Sequence, residues 1–130
     1  MTLEEAREFF KLDRFATQAL GAEIEEVGDG YSKISMTAQD IHRAAHGGVM
    51  GGALFTLADF AFAVASNWQG RTVVSQTAQI TYLGRAKGKQ LIAEAKCVKD
   101  GRSICYYVIE VSDELGSQVA QVTSSGFHVD

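Results

Sequence analysis

Between Met50 and Asn67 the chain reads MGGALFTLADFAFAVASN, rich in Ala, Leu and Phe, poor in β-branching, with Asp59 its single charge. That composition favours helix over strand. Apolar residues fall on every side of such a helix, so it must be buried all round rather than laid on a surface. No uninterrupted apolar run reaches the ~18 residues of a membrane span. The charged start, Thr2 to Arg7, is unlike a secretory leader. A chain of 130 residues is read as one domain, 1–130, whose other segments enclose this helix.

Those segments are mostly strand-like. The first twenty residues are helical, opened by a Thr2–Glu5 capping box, and a slip in pattern at Lys11 to Asp13 predicts two short helices rather than one. Gly21 stops them. Ala22 to Val27 and Tyr31 to Thr37 read as strands around Gly28-Asp29-Gly30. A loop rich in His and Gly runs from Ala38 to Gly48. After the central helix, Thr72–Leu83, Gln90–Lys99, Ser103–Ser112 and Gln118–Val129 read as a four-stranded meander. Thirteen glycines and no proline leave the turns to Gly, Asp and Asn. Strands of about ten residues exceed the usual five or six and imply a strongly curved antiparallel sheet. The expected class is α+β: five or six strands wrapped around one long helix. The far side of that helix also needs cover, and a second copy of the chain is the economical source, which predicts a dimer at minimum.

Composition excludes some functions. Apolar residues at 46% and charged residues at 22% exclude a disordered tail protein. Sixteen acidic residues against twelve basic give a net charge of −4, unlike a nucleic-acid binder. A two-residue turn at Asp100-Gly101 would set Cys97 opposite position 104 and put Cys105 on the other face. Free thiols are therefore expected, in a reducing cytoplasm. His42, His46 and His128 share no ligand spacing, so neither metal nor cofactor is expected.

Asp59 is the residue with most chemical potential. Its neighbours at three and four residues are Phe55, Thr56, Phe62 and Ala63, and a carboxylate desolvated there is costly unless paired or protonated. Either it is a perturbed general base or nucleophile, or it lies on a solvated stripe or pairs with a distant cation. Gly51 and Gly52 open the same helix at a cost in stability, either for close packing or to present free N–H groups to a developing oxyanion. Helix rise separates Gly51 from Asp59 by about 12 Å, so one helix cannot bring both to one carbonyl, whereas two copies can. Ser75, Gln76 and Thr77 can position a water or simply form a polar strand face. Arg85, Lys87 and Lys89, with Lys96, Lys99 and Arg102, are either phosphate contacts or solvated strand ends. Phe55, Phe60, Phe62 and Trp68 fit an acyl pocket, a core or a dimer contact equally.

The stretch His42 to Gly52, H-R-A-A-H-G-G-V-M-G-G, followed by Leu57-Ala58-Asp59-Phe60-Ala61, resembles the hot-dog acyl-CoA thioesterases of the PaaI-like group. That group's pattern is H-x-N-x-x-G-x-x-H-G-G and then L-A-D-x-A. Ile80-Thr81-Tyr82-Leu83 and the Lys99–Arg102 turn are also similar. The resemblance implies a hot-dog fold, a homodimer or homotetramer, and an acyl-CoA substrate with no membrane or nucleic-acid partner. It implies Asp59 as catalytic carboxylate, Gly51 as carbonyl-binding N–H, and Ser75 as the hydroxyl orienting water, in a site shared across the dimer. It places Gly52, Met50, Ala44, His46, Phe55 and Thr77 around the substrate, and Arg85, Lys87, Lys99 and Arg102 near the phosphates of CoA. Ala44 replaces the group's Asn and Met50 its His, and neither supplies the same hydrogen bond. His46 is nearby but four residues out of register, and Gly84-Arg85 stands where the group has Arg-Pro. Three activities follow: thioester hydrolysis, acyl-CoA binding without turnover, or a hydratase, for which the chain offers no matched His–acid pair.

Overall fold

Both halves of the capping box form at the start of α1 (Leu3–Phe10): the Glu5 N–H donates to Thr2 Oγ1 at 3.1 Å, and the Thr2 N–H to Glu5 Oε1 at 2.9 Å. This computed structural model describes residues 1–130. The predicted break follows α1, and the chain resumes as a single π-turn, Phe15–Ala19. Next come β1 (Glu23–Gly28), β2 (Tyr31–Thr37), a 3-10 turn at Asp40–His42 and the central helix α2 (Gly51–Ser66). Gln69 and Gly70, both at positive φ, turn the chain out of α2. Four long strands complete it: β3 (Val73–Tyr82), β4 (Gln90–Asp100), β5 (Ile104–Asp113) and β6 (Gln118–His128).

The six strands form one antiparallel sheet in the order β1-β2-β4-β5-β6-β3. The last four strands are therefore not a simple meander. β3 pairs with β6, and β4 pairs with β2. The reason lies in α2, which carries the chain from β2 across the sheet, so that β3 starts at the opposite edge and β4–β5–β6 fill the gap. Leu57, Ala58, Ala61 and Val64 of α2 are fully buried, as are Ile34, Leu91, Ala93 and Ile109 of the sheet. Ser32 Oγ, buried in this layer, donates to the Ala61 carbonyl at 2.6 Å, which offsets its desolvation.

Burial of α2 is not complete. Gly52, Phe55, Thr56, Asp59 and Ala63, spaced at three and four residues, form a stripe that the sheet leaves partly open. β3 is more open still: beyond Val73 only Ile80 is even half-buried. A ten-residue edge strand with an unpaired side is a feature that proteins normally cover.

Two bulges overturn faces expected from strict alternation. The register skips Val98 between Cys97–Tyr107 and Asp100–Cys105. That one extra residue puts Cys97 on the same inner face as Tyr107 and Cys105, not the opposite face. Both thiols are free. The register also skips Gln76 between Ser75–Gly126 and Thr77–Ser125. No helix of the chain is long and apolar enough to cross a membrane.

Candidate active site

Asp59 projects from the open stripe of α2 into a cleft of about 250 Å³, shared with Thr56, Phe60 and Ala63 of the helix and Asp13, Arg14, Phe15 and Ala16 of the N-terminal segment. No hydrogen bond or ion pair within the protomer engages its carboxylate, which disposes of the distant-cation alternative for one copy of the chain. Burial, and then the negative charge of Asp13, push its carboxyl above the ordinary Asp range. Burial likewise raises Asp13. An unpaired, half-desolvated carboxylate of raised proton affinity is a stronger base than a solvated one. Asp13 escapes a reading of the sequence because it sits in a helix break forty-six positions away in the chain; only the packing of the π-turn against α2 brings it there.

Gly51 and Gly52 occupy the first turn of α2, with Met50 as N-cap. The carbonyl of Met50 accepts from Ala53 and Leu54, whereas the N–H groups of Gly51 and Gly52 have no partner among the cap and loop bonds. Free N–H groups at a helix start attract negative charge. A side chain at Gly51 would collide with Tyr82, whose Oη would lie 2.6 Å from an added Cβ. A second cleft, of about 560 Å³, opens here, lined by Gly48, Gly51, Leu54, Tyr82, Gly84 and Arg85 among others. Asp59 does not line it. One protomer therefore keeps the carboxylate and the free N–H groups in separate clefts, as the eight-residue spacing along α2 requires.

The loop before α2 is held by His42, which is buried, accepts from the Gln39 N–H at 3.0 Å and faces the Ala19 carbonyl at 2.8 Å. Its role is to tie this loop to the N-terminal segment. Ala44 and His46 form the adjoining turn, in which the Gly47 N–H donates to the Ala44 carbonyl. His46 and Met50 are exposed, and neither makes a side-chain hydrogen bond. Phe55 is half-buried on the open stripe.

On β3 the Gln76 bulge separates two of the residues singled out above. Ser75 pairs with buried Gly126 and so lies on the helix-facing side of the strand with Ala78, Ile80 and Tyr82. Thr77 pairs with Ser125 and joins Gln79 and Thr81 on the outer side. The basic residues divide as well. Arg85 lies over the Gly47–Gly48 turn, with Nε 3.6 Å from where a Gly48 Cβ would sit. Lys99 and Arg102 flank the β4–β5 turn at the opposite end of the sheet. There Asp100 holds Arg71 at 2.6 Å and His128 at 2.7 Å, so the chain does hold one His–acid pair, contrary to the expectation of none, because folding joins positions 28 residues apart.

The Arg85 loop owes its shape to Asp113. The side chain is buried, and its Oδ2 accepts from the Lys87 and Gly88 N–H groups at 2.7 and 2.9 Å, its Oδ1 from Leu115 and Ser117 at 3.0 and 2.8 Å. Burial opposes the charge, but the Gly88, Ser117, Lys87 and Leu115 donors overcome it and hold the carboxyl well below the usual range. Lys87 is thus fixed by its backbone. Asp113 reads as an ordinary turn residue in the sequence.

A family model, the thioesterase superfamily, matches residues 46–120, the span that holds α2, Asp59 and β3 to β5. The chain belongs to the thioesterase superfamily. It is 34% identical over 104 residues to the acyl-coenzyme A thioesterase PaaI of Escherichia coli, covering 79% of this chain and 74% of that one. A solved structure of the E. coli PaaI protein superposes with a TM-score of 0.86 at 26% identity, covering 99% of this chain and 97% of that one. A hypothetical thioesterase of Streptococcus pneumoniae, crystallised with coenzyme A, superposes at a TM-score of 0.85 and 25% identity, covering 92% of this chain and 96% of that one. The sheet around α2 is the hot-dog fold of these thioesterases, and the chain is PaaI-like.

Proposed function

We propose that the protein hydrolyses acyl-CoA thioesters to free CoA and a carboxylic acid, in sites formed between two copies of the chain. The observation that carries this reading is the unpaired, proton-avid Asp59 on the same helix that begins with free N–H groups. Thioester hydrolysis needs a base or nucleophile and a donor for the developing oxyanion. A homodimer joined along β3 would cover the open stripe of α2 and bring the Gly51 N–H of one copy to the Asp59 of the other. In that site Asp59 either takes a proton from the attacking water or itself attacks the carbonyl carbon to give a mixed anhydride that water then hydrolyses. In both routes the C–S bond breaks, its electrons leave with the CoA thiolate, and that thiolate takes up a proton released from the water. Ser75, on the helix-facing side of β3, orients the water. Arg85, beside the Gly47–Gly48 turn, meets phosphate, with Lys87, Lys99 and Arg102 as the further basic contacts. Similarity to a CoA-bound thioesterase and to an acyl-coenzyme A thioesterase supports the substrate class.

Ala44 and Met50 favour a second reading, an acyl-CoA-binding hot-dog module without turnover, because neither side chain offers the donor that the resembling group carries. A thiol-reagent assay over aryl- and medium-chain acyl-CoAs decides between them. Turnover on any member supports hydrolysis; micromolar binding without turnover supports the module. Sedimentation velocity tests the dimer: Ala78→Lys, a charge on the helix-facing side of the open strand, is expected to yield monomers with no turnover. Full activity in a monomeric Ala78→Lys protein would overturn the shared site.

A further inference from the structure

Tyr82 ends β3 on its helix-facing side, paired with buried Ala120. Its ring reaches the start of α2: a Cβ on Gly51 would lie 2.6 Å from Oη, 2.8 Å from Cζ and 3.2 Å from Cε1. In an α-helix the Cα–Cβ direction tilts toward the N-terminus, the side on which the first-turn N–H groups are open. The phenol oxygen therefore lies against Gly51 at the helix start, where the first-turn N–H groups are open. Tyr82 is about half exposed, at 54%, and its hydroxyl makes no hydrogen bond within the protomer, unlike Tyr31, which donates to Glu94 at 2.7 Å. Gly51 and Tyr82 line the same cleft of about 560 Å³.

We propose that the Tyr82 hydroxyl is a second hydrogen-bond donor to the thioester carbonyl oxygen, acting beside the Gly51 N–H; this rests on the hydrolytic reading of the same site. A phenol O–H can donate without giving up its proton. As the attacking oxygen bonds to the carbonyl carbon, the C=O π pair moves onto the carbonyl oxygen, and both donors stabilise the charge that develops there. When the pair returns, the C–S bond breaks and its electrons leave with the CoA thiolate. Tyr82 ends the cycle protonated as it began. The arrangement also accounts for glycine at position 51: any side chain would drive the phenol away from the N–H it accompanies.

Tyr82→Phe removes the hydroxyl and keeps the ring. The expected result is a fall in kcat of about 10²-fold, the scale of losing one oxyanion donor, with KM changed less than about threefold. A second readout uses Asp59→Asn to stall turnover and follows the infrared carbonyl stretch of a bound acyl-CoA carrying a ¹³C carbonyl. Adding Tyr82→Phe should move that stretch to higher frequency, which loss of a merely structural contact would not do. If Tyr82→Phe keeps wild-type kcat while Asp59→Asn is inactive, the Tyr82 assignment is overturned and the hydrolytic reading stands. If Asp59→Asn itself keeps wild-type kcat, the reading beneath it falls, and the Tyr82 assignment falls with it.

Discussion

Asp59→Asn should have two effects of opposite sign. The amide fits the same cleft against Phe15, Phe60 and Ala63 but can neither accept a proton at neutral pH nor attack a carbonyl. Loss of general-base or nucleophilic help is worth about 10²- to 10⁴-fold, which at 1.36 kcal/mol per decade raises the barrier by about 2.7–5.4 kcal/mol. Stability should move the other way. Burial and Asp13 raise the carboxyl in the folded state, so between the unfolded and folded titrations the native protein binds more protons than the unfolded chain. The contribution of Asp59 is therefore most favourable at acid pH and declines as pH rises through its folded titration. Asparagine carries no such penalty, so the variant should melt a few degrees above the wild type at pH 8, with the gap closing at acid pH. The assays are steady-state release of free thiol and calorimetry across pH. An Asp59→Asn protein that turns over at the wild-type rate would refute the catalytic role of Asp59, and one that melts lower at pH 8 would refute the burial argument.

Other outcomes follow from single contacts. Asp113→Asn replaces one carboxylate oxygen with an amide nitrogen that confronts backbone N–H donors, so Tm should fall at neutral pH. Because that carboxyl is held low in the folded state, its contribution is present above the ordinary carboxylate range and lost as pH falls through the folded titration; the gap between variant and wild type should narrow in acid. Gly126→Ala puts a Cβ 2.7 Å from Val73 Cγ1 and 2.9 Å from both Phe62 Cζ and the Val74 carbonyl oxygen, and urea unfolding should show a loss of about 1–3 kcal/mol. Leu57→Ala empties a fully buried site on α2 and should cost about 2–5 kcal/mol by the same measurement.

The single charge in an otherwise apolar helix was readable directly, because helical spacing is local and leaves Asp59 among Phe55, Thr56, Phe62 and Ala63 whatever the rest of the chain does. The separation of Gly51 from Asp59 was equally legible, since it depends only on helix rise. The role of Asp113 was not, because a carboxylate that gathers four backbone N–H groups looks in sequence like any other turn residue. Thr77 shows a different limit. Its face depends on one extra residue, Gln76, whose bulge leaves no trace in an alternating pattern.

By itself the sequence determined the elements and their ends: the Thr2–Glu5 cap, the break near Asp13, the strands and the buried helix. These depend on neighbours within a few residues, where propensity, capping and periodicity act. Tertiary structure alone decided that β3 lies at the edge beside β6, that Cys97 and Cys105 share a face, that Asp13 reaches Asp59 and that Tyr82 meets Gly51. Each joins positions far apart in the chain, and their proximity follows from strand order and bulges, which no local pattern encodes.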